Sequence, residues 1–152
     1  MAHWYSEVSS DISTLPLCID FFYKELINAK QEIKLSGILE KQSALLPGMV
    51  EYRFNQLQEM EAILEFLNIE LRRTRSKLFK KYLENYQRAL SSRDVEKYVD
   101  GEDEVVDMEK LINEFALIRN QWLGIIKGLE VKGFQINNII KLRTSGFEDA
   151  AV

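Results

Sequence analysis

Apolar residues return along this chain at intervals of three and four, the repeat that places side chains on one face of a helix. Ser13 and Thr14 stand before Pro16, a cap followed by proline in a first helical turn, and Phe22, Leu26, Ile33 and Leu39 continue on roughly helical spacing. This predicts a helix over about residues 15–45, ended at Pro47-Gly48, because proline removes a backbone donor and disfavours helix in the residue before it. Beyond that break, Val50, Leu57, Met60, Leu64, Leu67, Leu71 and Leu78 form a heptad seam, interrupted at Arg53 and Thr74. Met49 to Leu90 contains no glycine or proline, so one helix of about 42 residues, roughly 60 Å long, can carry the seam.

Ser91-Ser92-Arg93-Asp94 and Asp100-Gly101-Glu102-Asp103-Glu104 read as a polar connection with a glycine turn. A second seam follows in Met108, Leu111, Phe115, Ile118, Trp122, Ile125 and Leu129, with Ile136 and Ile139 in phase past an interruption at Lys132-Gly133. Gly124, Gly128 and Gly133 each cost about 1 kcal/mol relative to alanine inside a helix, so this segment is expected to gain its helicity from packing and to bend near Gly133. Gly124 and Gly128, four apart, either admit a close helix or mark a loose spot. Residues 1–12, with Trp4, Tyr5 and Val8, show no clear period and read as a loosely attached arm. The expected order is this arm, N-terminal helices over 13–92, an acidic connection over 93–106 and a C-terminal helical region over 107–152. The fold class is all-α, with long helices and coiled-coil-like seams. Two such seams in a short chain predict self-association, against the alternative of an intramolecular helical hairpin; Leu111, Phe115, Ile118, Trp122, Ile125, Leu129, Phe134, Ile136 and Ile139 are the candidate oligomerisation residues.

Composition agrees. With 46% apolar residues, the 152-residue chain can bury a core, and two prolines and seven glycines leave few breaks in helix. The single cysteine, Cys18, excludes an intramolecular disulfide and a cysteine metal site, which points to a reducing compartment. No run of roughly 20 uncharged apolar residues is present and the first residues lack an export pattern, so a cytoplasmic protein without a membrane partner is expected.

Charge changes the picture. The net charge of −4 argues by itself against a nucleic-acid ligand, yet residues 71–93 hold eight basic residues against Glu84 alone, a local +7 that leaves −11 for the remainder. Arg73, Lys77, Lys80, Lys81 and Arg88 fall within an arc of roughly 100°, opposite Met60, Leu64, Leu71, Leu78 and Tyr82. Arg72 and Arg75 add to the charge. Phe79, Tyr82 and Tyr86 are interleaved with it, and single-stranded nucleic acid uses both elements: cations follow phosphates, and aromatic faces stack on unpaired bases for about 1–3 kcal/mol each. Of the three aromatics Tyr82 is the most core-like; Phe79 and Tyr86, at the edge of the apolar stripe, are the stacking candidates. The competing reading is the solvated face of a coiled coil, but six cations in residues 72–81 without an acid are unlike a face that mixes signs to form i,i+4 pairs.

The acidic run Asp100 to Asp107 lacks the ligand alternation, glycine and terminal glutamate of a calcium loop and reads as a solvated helix start. His3 is the only histidine, and no nucleophile–base pair, phosphate loop or histidine metal site accompanies it, so neither catalysis nor a cofactor is expected.

Leu39-Glu40-Lys41-Gln42-Ser43-Ala44-Leu45-Leu46-Pro47-Gly48, the long helix ending in the basic segment, and Lys132-Gly133-Phe134-Gln135-Ile136-Asn137-Asn138-Ile139-Ile140-Lys141-Leu142-Arg143 together resemble the bacteriophage UvsY recombination mediator family over about residues 35–145. The family's Leu-Lys-x-Arg-Leu-x-Tyr-Tyr element has its nearest counterpart in Phe79-Lys80-Lys81-Tyr82-Leu83-Glu84-Asn85-Tyr86: Lys80, Leu83 and Tyr86 match, while Tyr82 stands at the arginine position with Lys81 beside it. The resemblance implies a ring-like homo-oligomer in the host cytoplasm that binds single-stranded DNA and contacts a RecA-like phage recombinase and a single-strand-binding protein. The alternatives are a helical scaffold or adaptor without nucleic-acid binding, and an RNA-binding regulator using the same strip.

Overall fold

The computed structural model describes residues 3–85 and 90–146, and these are helical apart from short connections. The elements are α1 (His3–Ser10), a 3-10 turn (Ile12–Thr14), α2 (Leu15–Glu32), α3 (Leu39–Asn85), α4 (Ser92–Asp100) and α5 (Asp103–Thr144). Among the described residues no helix is long and apolar enough to cross a membrane.

The frame is the antiparallel pair α3 and α5. At 47 and 42 residues these helices are about 70 and 63 Å long. Their direction follows from the contacts: Gln42 reaches Lys132, Glu61 reaches Arg119, and Arg75 reaches Glu109. In the middle third α2 lies on both, closing a three-helix core of Phe22, Leu26, Met60, Ile63, Leu67, Phe115, Trp122 and Leu129. Phe22 packs edge-on to Trp122 at 6.5 Å and tilted to Phe115 at 5.8 Å.

The first helix is much shorter than the apolar spacing predicts, and Pro47-Gly48 is not the break. Alpha-2 stops at Glu32, and the chain turns through Gly37, whose φ of 85° is a left-handed conformation suited to glycine. Lys132 fixes this stop from α5: its Nζ donates to the Glu32 carbonyl at 2.7 Å and to Gln42 Oε1 at 2.8 Å, satisfying a helix-end acceptor. Pro47 lies inside α3 with its side chain exposed. One backbone bond is lost there, but Leu39 packs with Ile136 and Ile139, and Leu46 lies against them, so tertiary contacts hold the helix on the proline's N-terminal side.

The N-terminal arm also differs from expectation. It is helix α1, docked on its own chain: Val8 is fully buried, Trp4 lies 5.5 Å from Phe21, and the Tyr5 N–H donates to Glu59. The acidic connection is largely helical too, since α4 and the first turn of α5 occupy most of it. Ser91 accepts from the Asp94 N–H as the cap of α4, and Asp103 and Glu104 lie in the first turn of α5, where negative charge favours the dipole.

Arg53, an interruption of the first seam in sequence, is a buried ion centre. Its side chain is 4% exposed and donates to Glu32 at 2.6 and 2.8 Å, to Glu25 at 2.9 Å and to Gln56 at 2.9 Å. Its guanidinium also lies 5.0 Å from the Tyr52 ring centre and 5.4 Å from that of Trp122. Burial pushes the Glu25 carboxyl upward, but hydrogen bonds from Gln56, Arg53 and Asn28 outweigh it and hold the group below its ordinary value.

The second seam faces the same chain. Phe115, Ile118, Trp122, Ile125 and Leu129 are buried and Leu111 is half-buried against α2 and α3; Ile136 and Ile139 are buried on α3. The hairpin alternative thus accounts for these residues, and Phe134, 70% exposed, alone of the nine turns outward. Alpha-5 continues as helix through Gly133. Gly128 is the close approach: a Cβ there would meet Ile33 at 2.9 Å, whereas at Gly124 it would meet nothing.

Three outcomes follow. Arg53→Ala, which leaves two carboxylates facing a vacated interior, should cost about 2–3 kcal/mol in chemical denaturation. Because Glu25 is lowered in the folded state, its stabilisation is present above its unfolded value of 4.5 and is lost as pH falls through its folded value. Stability should therefore decline below about pH 4.5, with a shallower decline in Glu25→Gln. Gly124→Ala should gain about 1 kcal/mol from helix propensity, while Gly128→Ala should gain less, because its Cβ must first displace the Ile33 side chain.

Candidate nucleic-acid interface

Residues 71–85 form the C-terminal end of α3, beyond the reach of α2. Here the partner is α4, which folds back on α3 and sets Val95 and Val99, with Val105 of α5, against Leu71, Leu78, Phe79 and Tyr82. The basic segment therefore has an apolar inner side covered by α4 and an outer side in solvent.

The structure sorts the candidate residues into three groups. Lys77, Lys80 and Lys81 are exposed on the outer side, and none has an ion-pair partner among the described residues. Arg72 and Arg73 are also exposed but are paired along the helix, with Glu65 at 3.7 Å and Glu70 at 3.2 Å. Such exposed pairs are weak, worth about 0.2–1 kcal/mol, and leave the arginines able to change partner. Arg75, Phe79 and Tyr82 make up the third group, on the inner side.

Arg75 is half-buried and bonds Asp100 at 2.5 Å, with Glu109 at 3.7 Å. Tyr82 donates its hydroxyl to Glu102 and stacks on Tyr98, ring centres 5.6 Å apart and planes 18° from parallel. Phe79 is half-buried in the valine cluster, so it turns inward rather than standing at the stripe's edge as a stacking candidate. Ser76, Phe79, Arg75, Glu96 and Val99 border a cleft of about 200 Å³ between α3 and α4. Tyr86 and Arg88 lie outside the described residues.

Sequence reasoning missed the partners of the inner group. Asp100 and Glu102 read as a solvated turn, and the signal that they face cations was available only in outline: an acidic run following a basic helix across a short connection. Cys18 is buried, its thiol pushed up to about 12 by burial and by Glu59, and is inert packing.

Comparisons with protein-family models, curated proteins and solved structures gave no match to this chain.

The division into outer and inner groups predicts different costs. Alanine at Lys77, Lys80 or Lys81 should leave thermal stability within about 0.5 kcal/mol of the parent. Phe79→Ala should lower it by about 1–3 kcal/mol, since it opens the cluster under α4.

Proposed function

We propose that this chain is a single-stranded DNA-binding recombination mediator that works without catalysis. On this reading it engages DNA covered by a single-strand-binding protein, weakens that protein's hold, and favours loading of a RecA-like recombinase. The observation that carries the reading is the row Lys77, Lys80 and Lys81, exposed and without acidic partners among the described residues, on a chain of net charge −4. A polyanion approaching such a body is attracted at one end and repelled elsewhere, which favours a defined register. The resemblance to UvsY-type mediators points the same way.

Homo-oligomeric action, in a ring-like assembly, belongs to the same proposal. A row of three lysines is a weak site, and several rows on one flexible strand bind by avidity. With the second seam buried in the chain, association must use outer surface. Leu117, Val131 and Phe134 on α5 and Leu45 and Phe54 on α3 supply exposed apolar area for it.

A helical scaffold is the second reading, and the pairing of Arg72 and Arg73 with glutamates on their own helix favours it, since a solvated face mixes signs in this way. Salt dependence of oligo-dT binding separates the two. Each phosphate contact gives about −0.7 in the log–log slope, so Lys80→Ala/Lys81→Ala should flatten the slope by about 1.4 per engaged site and weaken binding, with helicity and assembly intact. An unchanged slope and affinity in that variant would favour the scaffold, and preference for RNA of the same sequence would favour a regulator of RNA. Sedimentation of the parent at tens of micromolar should show a species larger than one chain; a monomer would remove the ring.

A further inference from the structure

We propose that α4 and the turn after it are a displaceable cover over a second part of the interface, in which Arg75, Phe79 and Tyr82 take an unpaired base and its phosphate. The proposal rests on reading the lysine row as a nucleic-acid surface. Its own support is the chemistry of what the cover holds.

Arg75, Phe79 and Tyr82 follow each other at four and three residues along one side of α3, so they form a continuous line of a guanidinium and two aromatic rings. That is the set which single-stranded nucleic acid uses, a cation for phosphate and ring faces for bases. Each member is now engaged by the cover with a contact that a nucleic acid can replace in kind. Asp100 gives Arg75 an anionic oxygen at 2.5 Å, as a phosphate would. Glu102 accepts from the Tyr82 hydroxyl, another phosphate-like contact, and Tyr98 stacks on the Tyr82 ring in the nearly parallel arrangement that a base adopts. Phe79 is covered by the valine cluster.

The cover is built to yield before the rest of the molecule. Alpha-4 is short, and its buried side chains are Val95 and Val99, whereas the middle of the hairpin is closed by a large aromatic and aliphatic core. Elements with few buried apolar contacts open locally at small cost. Gly101 ends α4, so the two acidic holds stand on either side of the helix end, where few contacts tie the chain down. Lys80 and Lys81 lie between Phe79 and Tyr82 in sequence at the end of α3, so a strand held by the lysines reaches the covered line by passing around the last turns. The cover then sets a threshold: a strand must compete with Asp100 and Glu102 before it gains the aromatic contacts.

Two acidic holds can be removed without touching the binding line. Asp100→Asn/Glu102→Gln should bind oligo-dT about five- to tenfold more tightly than the parent, because it raises the fraction of open molecules. Glu7→Gln/Glu40→Gln, which removes the same charge elsewhere, should change affinity by less than about twofold. Ser76→Cys/Glu96→Cys joined by a short bismaleimide should bind more weakly than the same variant unjoined, while keeping a salt slope that depends on Lys80 and Lys81. Cys18 is buried and stays unmodified.

Hydrogen exchange on the unaltered chain gives an independent reading: amides of residues 92–100 should exchange faster when oligo-dT is bound. Equal gains from both charge-removing pairs, no effect of the cross-link, or slower exchange across α4 on binding would each overturn the cover and leave the lysine row standing. If the parent chain binds no oligo-dT, the nucleic-acid reading falls and the cover with it.

Discussion

Arg53 occupies a seam position where the long helix would otherwise offer an apolar side chain, and the placement of α2 follows from that substitution. A guanidinium that is almost wholly buried must be paired, because an isolated charge in the interior costs many kcal/mol. Glu25 and Glu32 stand seven apart on one face of α2 and both reach it, so α2 can lie on α3 in only one register. Lys132 then closes the end of the same helix by holding the Glu32 carbonyl, and burial lowers its ammonium below the ordinary value. With α2 fixed, Phe22 meets Phe115 and Trp122, and Ile33 fills the space left by Gly128. The buried cation contributes alignment more than net stability.

That alignment decides what the ends of the hairpin can do. Alpha-2 covers only the middle third of α3 and α5, so both ends are two-helix structures that need other cover. At one end α4 supplies it and leaves three lysines outside; at the other, Leu39, Ile136 and Ile139 make a small cluster beside exposed apolar residues. The lysine row thus stands at one end of a hairpin about 70 Å long, while exposed apolar residues such as Leu117 and Phe134 lie along α5 away from it. Such a molecule suits a proposed role in which one end meets a polyanion and the outer faces of α3 and α5 meet copies of itself.

Much of the fold was legible from period alone. The long uninterrupted helix through residues 49–85 and the phase of Phe115, Ile118, Trp122, Ile125 and Leu129 follow from three-and-four spacing. Helix ends were less legible. Proline at 47 is a strong local signal against helix, and it was overridden by contacts of Leu39 and Leu46 that lie about 90 residues away in sequence. Gly37, the true turn, carries no local mark that distinguishes it from Gly48. Arg53 and Lys132 appeared as flaws in the seams, because a single chain does not display which carboxylate or carbonyl will stand opposite. The basic segment was visible as charge; its division into free lysines and a covered line of Arg75, Phe79 and Tyr82 depends on α4, whose docking is tertiary.

On the proposed reading, single-stranded DNA is held at the end of α3 by the lysine row. Photo-cross-linking of the full chain to 4-thiothymidine oligonucleotide, followed by mass spectrometry of the joined peptides, locates the bound strand. Cross-links should concentrate within residues 77–85 and be suppressed by an unlabelled single strand far more than by duplex. Cross-links spread over α1, α2 and the far end of α5, or suppressed equally by duplex, would contradict that reading.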